Sequence, residues 1–253
     1  MSGRHSKATI ASMAVISMGM AALLHEGLGH GVTAWLRGDM VTELTSNHLS
    51  DLRADRLVDA GGTIVNLITG AIALIASFRL GRRANLRFFL WFFAAVSLFD
   101  GAGYFLFSGI VGVGDWYAII QGLPYQALLR TAMAIFGAAL YYLCMRLIAV
   151  GIRPFAANRG EYNTLCRFPY LAACIFYCIA GAFDPLGIKL LFISTIPAAF
   201  GGLSGLLWAH RLMPRAVPAE PLAVRPSPAW WASAIVFGIA FVVVIGRGIA
   251  FKH

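Results

Sequence analysis

Apolar residues occur in long runs along the chain, and short polar stretches separate them. Each run is about 20 residues, which is enough for one helix to cross a hydrocarbon core of roughly 30 Å. We therefore predict an all-α polytopic membrane protein with about six to seven transmembrane helices. The predicted segments are about 8–36, 57–78, 88–113, 130–152, 168–183, 188–210 and 230–245.

The composition agrees with this pattern. Of the 253 residues, 59% are hydrophobic and only 12% are charged, so a soluble domain could not cover the apolar surface. The apolar runs leave no room for a sizeable soluble domain in addition, and we treat residues 1–253 as a single transmembrane domain. The first run follows Arg4 and Lys7 without a clear cleavage site, so we predict an uncleaved signal-anchor.

Arginine and lysine give the chain a formal net charge of +9. Basic loops alternate with neutral or acidic ones, and the positive-inside rule then gives seven spans, with the N-terminus inside and the C-terminus outside. Arginines in cytoplasmic loops explain the charge, so we predict a lipid bilayer as partner and no nucleic acid. We expect a multi-pass protein of a bacterial inner (plasma) membrane.

Candidate chemistry begins near the end of the first run, at His25, Glu26 and His30. Ionisable groups at membrane depth are costly and usually mark a functional site. In the H-E-x-x-H pattern of zinc hydrolases, two histidines four residues apart share a helix face and bind one metal ion. The glutamate polarises the water bound to that ion. Here the histidines are five apart, so on a regular helix they would point about 140° from each other. One inserted residue can be absorbed by a π-bulge, which brings residues i and i+5 to one face.

Two histidines are too few for a catalytic zinc, which usually has three protein ligands and water. Asp100, in the middle of the third run, is the best candidate for the third ligand. Asn66, in the middle of the second run, could hold a substrate or a developing oxyanion. Asp115 and Asp184 lie near predicted segment ends, where an aspartate costs little, and we rank both behind Asp100. His48, in a polar loop, is better explained as a structural residue than as a ligand.

Three motifs in this order resemble those of the site-2 protease (M50-like) family of intramembrane zinc metalloproteases, in a divergent form with HExxxH in place of HExxH. The resemblance covers about residues 10–110. The motifs are His25-Glu26-Gly27-Leu28-Gly29-His30, Ala60-Gly61-Gly62-Thr63-Ile64-Val65-Asn66 and Phe99-Asp100-Gly101.

The resemblance implies a three-helix catalytic core over about 8–113, with accessory helices over about 130–250. It implies Zn²⁺ bound by His25, His30 and Asp100, with Glu26 as the catalytic base and Asn66 in contact with substrate. The predicted function is that of a zinc metalloendopeptidase (a peptide-bond hydrolase) that cleaves membrane-embedded protein substrates.

Two other functions remain open from the sequence. The stretched motif is also compatible with a non-proteolytic membrane scaffold or transport-related protein that keeps a degenerate metalloprotease core. A membrane metal hydrolase acting on lipid amides or esters is a weaker alternative, because the adjacent His-Glu pair fits it less well.

Overall fold

The computed structural model describes residues 4–212 and 220–252. In this part of the chain, seven helices are long and apolar enough to cross a membrane, which confirms the predicted number. A short eighth helix, α4, connects the third and fourth of them. The helices are α1 (Lys7–Leu36), α2 (Arg56–Arg79), α3 (Ala84–Val111), α4 (Asp115–Ile120), α5 (Gln126–Phe155), α6 (Arg159–Gly181), α7 (Ile188–Leu212) and α8 (Pro228–Ile245).

The prediction for the fifth segment was wrong at its start. We predicted about residue 168, but α6 begins at Arg159, where the Asn158 side chain accepts a hydrogen bond from Glu161 N and caps the helix. Such a cap satisfies a backbone donor that the helix leaves open. A search for apolar runs misses this start because the first turns of α6 contain charged residues. Pro169 lies inside the helix and does not interrupt it.

The prediction of an all-α fold holds for the spans only. Three short strands, β1 (Val41–Leu44), β2 (Leu49–Asp51) and β3 (Ile249–Ala250), form an antiparallel sheet in the order β2-β1-β3. The first two lie in the loop after α1, and the third follows α8. Strands this short carry little alternation in sequence, and pairing with a distant segment stabilises them.

Contacts between the loops divide the molecule into two ends. At the basic end, Arg4 pairs with Glu161, Arg82 pairs with Glu220, and Leu222 N donates to Pro154 O. At the opposite end, β3 joins the sheet formed after α1, and Asn47 donates to Asp184. The loops therefore alternate between two ends, as consecutive spans require, and the odd number of spans places the segments before α1 and after α8 at opposite ends.

Helix α3 lies at the centre of the bundle and packs against α1, α2 and α5. Its aromatic side chains form much of the core, and the indole Nε1 of Trp91 donates to Ile148 O at 2.9 Å. Tight packing around α3 fixes the positions of the polar residues that the three N-terminal spans carry. Side chains that are fully buried in this core include Phe88, Trp91, Phe92, Phe99, Ile148 and Tyr162.

Candidate metal centre

Helix α1 contains a π-helical segment, Leu24–Gly31, at the position where the sequence predicts a bulge. Val32 N donates to Gly27 O, the five-residue spacing that defines this geometry. His25 and His30 consequently lie on the same side, with ring centroids 4.9 Å apart, and both are buried. The extra residue between Glu26 and His30 is absorbed without separating the two imidazoles.

Glycines make the approach of α1 to α2 possible here. A Cβ at Gly29 would collide with the backbone of Gly61 and Gly62, and a Cβ at Gly61 would collide with Gly29 O. A Cβ at Gly62 would lie 2.5 Å from His25 Nε2 and 2.6 Å from His30 Nε2. The small residues of the second motif therefore bring the α2 backbone against both imidazoles.

Asp115 enters the site from the connection after α3. Gly112 and Gly114 have φ values of 76° and 87°, a conformation that glycine adopts without strain, and they reverse the chain so that α4 begins at Asp115. The guanidinium of Arg130 caps the end of α3 by donating to Gly109 O and Ile110 O.

The reversal places Asp115 beside both histidines. Its Oδ2 lies 3.3 Å from His25 Nε2 and 3.5 Å from His30 Nε2. One ligand atom from each of the three residues falls within 4.8 Å of the others, so the group could hold a metal ion.

Two atoms of this group are buried without a hydrogen-bond partner among the described residues, namely His25 Nε2 and Asp115 Oδ2. Burial raises the pKa of Asp115, but the two neighbouring imidazoles outweigh it and hold that pKa below its ordinary value. A carboxylate oxygen and an imidazole nitrogen that both lack a partner, with the second imidazole nitrogen beside them, are the donors that a divalent transition metal prefers. The residues therefore fit a metal ion.

The other ring nitrogens are held by groups outside this cluster. His30 Nδ1 lies 2.7 Å from Val58 O, which fixes the ring against α2. His25 Nδ1 lies 3.3 Å from Asp100 Oδ2 and 3.2 Å from Asn66 Nδ2, and Asn66 Nδ2 donates to the same Asp100 oxygen at 2.6 Å. Asp100 thus faces the side of the His25 ring opposite to Asp115.

Glu26, His25 and Asp100 line a cavity between the helices. Tyr104, one helical turn after Asp100, stacks on the His25 ring with centroids 4.9 Å apart. Asn47 and Ser194 close the cavity from the β1–β2 loop and from α7. A carboxylate in a cavity beside the His25 imidazole can accept a proton from water, which is the role that the resemblance gives to Glu26.

The structure places His25, His30, Asn66 and Asp100 close to one another, but the group whose ligand atoms could hold one metal ion contains Asp115 and not Asp100. It also adds Asp115, which we had ranked behind Asp100 because it lies near the end of a span. The sequence feature that could have identified Asp115 is the segment 112–115, in which two glycines precede the aspartate and favour a reversal of the chain. Sequence alone does not show that this reversal folds back onto α1.

No family model, curated protein or solved structure matches the chain. The case for a metal centre therefore depends on the geometry of the described residues.

Proposed function

We propose that the protein is a zinc-dependent intramembrane endopeptidase. The observation that supports this most is that His25 Nε2, His30 Nε2 and Asp115 Oδ2 lie close together, with the buried Glu26 adjacent to His25 in the chain. Two imidazoles and one carboxylate leave a coordination position open, which is typical of catalytic zinc and not of structural zinc. In this proposal α1, α2 and α3 form the site-2-protease-like core, with Asp115 in the place that the resemblance gives to Asp100.

When bound, zinc would supply a Lewis acid that polarises a carbonyl and acidifies water. The residues of the chain would do the remaining work. Glu26 would accept a proton from the attacking water and pass it to the leaving amine. Because Gly62 has no side chain, it would leave room for both imidazoles against α2. The surrounding helices would exclude bulk water.

A peptide substrate must be extended at the site, since a helix hides its carbonyl groups in its own hydrogen bonds. Strand β2 offers a partner for an extended segment, because it pairs with β1 on one side and with no described strand on the other. Leu49 of β2 packs close to Gly31, so this edge lies beside the π-helical segment. Addition of a strand to such an edge is a common mode of peptide binding.

The experiment measures zinc content and cleavage of a transmembrane reporter peptide by the protein purified in nanodiscs. We expect one zinc per chain in the wild type. Glu26→Gln should keep the zinc and lower kcat by about 100- to 10,000-fold, because it removes a general base. Asp115→Asn should lose zinc and activity together.

The matched control is Glu220→Gln, which removes an exposed carboxylate paired with Arg82 at the basic end. Zinc content and cleavage should be unchanged in it. A wild type that binds no stoichiometric zinc, or a Glu26→Gln variant that cleaves at the wild-type rate, would exclude the proposed activity.

A further inference from the structure

The two aspartates near His25 lie on opposite sides of its ring. Asp115 Oδ2 approaches Nε2 at 3.3 Å, whereas Asp100 Oδ2 approaches Nδ1 at the same distance. A metal held by Nε2 would be held on the Asp115 side of the ring and away from Asp100. The two carboxylates therefore cannot both be ligands of one metal ion that is bound to Nε2.

His30 provides an internal comparison. Its Nδ1 is bound to the backbone oxygen of Val58, and its Nε2 faces Asp115. Both imidazoles thus direct Nε2 to the shared point and Nδ1 to a fixed oxygen atom. Histidines that bind a metal almost always donate the other ring N–H to a carboxylate or a carbonyl, which fixes the tautomer and the ring orientation.

Asn66 restricts Asp100 further. Its amide nitrogen donates to Asp100 Oδ2 at 2.6 Å, so the oxygen nearest to His25 is also held from α2. His25 and Asn66 are almost fully buried, and the Asp100 side chain is 25% exposed. The amide therefore holds the carboxylate in place beside Nδ1. Asn66 Nδ2 also lies 3.2 Å from His25 Nδ1, and with a proton on Nδ1 both nitrogens would donate to the same Asp100 oxygen.

We propose that Asp100 and Asn66 form a positioning pair that holds His25 with its proton on Nδ1, and that Asp115 is the carboxylate ligand of the metal. This inference rests on the proposed function only for the presence of a zinc site. It reverses the order in which the sequence ranks the two aspartates.

The test compares zinc dissociation constants, measured by competition with a chromophoric chelator, for the full-length wild type and four variants. Asp115→Asn should abolish stoichiometric binding. Asp100→Asn should keep one zinc per chain but bind it about 10- to 100-fold more weakly, the usual cost of losing an outer partner of a histidine ligand. The control Glu220→Gln should bind zinc as the wild type does.

The fourth variant exchanges the pair, Asn66→Asp with Asp100→Asn. Because Asn66 already lies 3.2 Å from His25 Nδ1, a carboxylate at position 66 can accept the same proton. We expect the exchange to recover at least half of the affinity, on a logarithmic scale, that Asp100→Asn loses. The visible spectrum of the Co²⁺-loaded protein should be the same for the exchange variant and the wild type, since the ligands are unchanged.

The inference would be overturned if Asp100→Asn abolished binding while Asp115→Asn retained it. It would also be overturned if Asp100→Asn bound zinc as tightly as the wild type, or if the exchange recovered nothing. Far-ultraviolet circular dichroism identifies any variant that does not fold. If Asp100→Asn does not fold, the zinc affinity of the exchange variant provides the test. Absence of zinc from the wild type is a different result, and it counts against the proposed function.

Discussion

At the scale of single residues, Gly62 shows how the absence of a side chain shapes the site. A methyl group added at Gly62 would lie 2.5 Å from His25 Nε2 and 2.6 Å from His30 Nε2, which is too close for either ring to keep its position. Gly27 lies in the same π-helical segment as the histidines, but a Cβ at Gly27 would contact nothing within 4 Å. The two glycines therefore give a matched pair, one enclosed and one open.

We predict that Gly62→Ala lowers kcat for peptide cleavage by about 100-fold, because displacement of catalytic groups by about 1 Å has effects of this size. Zinc affinity should fall in parallel. Gly27→Ala should leave both close to wild-type values. Equal behaviour of the two variants in zinc titration and cleavage assays would show that Gly62 does not shape the site.

At the scale of elements, the π-helical segment and the two-glycine reversal before α4 build the centre together. The segment Leu24–Gly31 turns both histidines toward α2, and the reversal turns Asp115 toward them. A regular helix with the same sequence would separate His25 and His30 by about 140°. The insertion in the motif is thus part of the site geometry.

Deletion of Gly27 provides a test of this element. It restores the spacing H-E-x-x-H, but it shifts Gly29 and His30 relative to Gly61 and Gly62, against which the helix is packed. We predict that zinc affinity and cleavage both decrease in the deletion variant. Tighter zinc binding after the deletion would indicate that the native site is degenerate and would favour the scaffold function.

Hydrogen bonds and an ion pair join the β1–β2 loop to the turn between α6 and α7. His48 Nδ1 lies 3.5 Å from Asp184 Oδ2, its Nε2 lies 3.3 Å from Glu43, and Asn47 donates to Asp184. Burial lowers the pKa of His48, but the contacts with Asp184 and Glu43 outweigh it and raise that pKa. Burial raises the pKa of Asp184, whereas hydrogen bonds from His48, Leu186 and Asn47 lower it overall.

These shifts define a pH window for stability. The lowered pKa of Asp184 stabilises the folded protein above about pH 4. The raised pKa of His48 stabilises it below about pH 6.5, and this contribution is lost as the pH rises through the raised pKa of His48. We predict that His48→Gln lowers the thermal midpoint by about 2–4 °C at pH 5.5, as expected for a change of about 1 kcal/mol in a chain of this size. The difference should shrink at pH 9.

Thermal unfolding of the wild type, His48→Gln, Asp184→Asn and the double variant would check this prediction. The single variants should not be additive at pH 5.5, because each removes the same contact. A difference between wild type and His48→Gln that increases toward pH 9 would contradict the assigned charge pair.

At the scale of the whole molecule, seven spans place the two sets of loops at opposite ends. The candidate metal centre lies toward the end that carries the sheet, because Asp115 comes from a connection at that end and His30 lies near the end of α1. The opposite end holds most of the arginines. From the positive-inside rule we predict that the sheet and the candidate metal centre lie toward the outer side of the membrane.

Labelling of introduced cysteines would test this topology. Leu52, after β2, and Arg82, in the loop between α2 and α3, are both well exposed. We predict that a membrane-impermeant maleimide modifies Leu52→Cys in intact cells and modifies Arg82→Cys only after permeabilisation. The wild type gives the background, since three of its four cysteines are buried. Labelling of both positions from the same side would contradict the arrangement.

The sequence by itself determined the number of spans and singled out His25, Glu26 and His30 of the candidate site. Long apolar runs and loop charges act locally, so they can be read without knowing which helices touch. The five-residue spacing of the histidines allowed a π-bulge, but the structure decided that the inserted residue is absorbed, with the segment packed against Gly61 and Gly62 of α2. The tertiary structure decided which carboxylate reaches the histidines, because that depends on a chain reversal at Gly112 and Gly114 and on the packing of α2 against α1. It also decided the sheet, since β3 pairs with a strand that lies about 200 residues earlier in the chain.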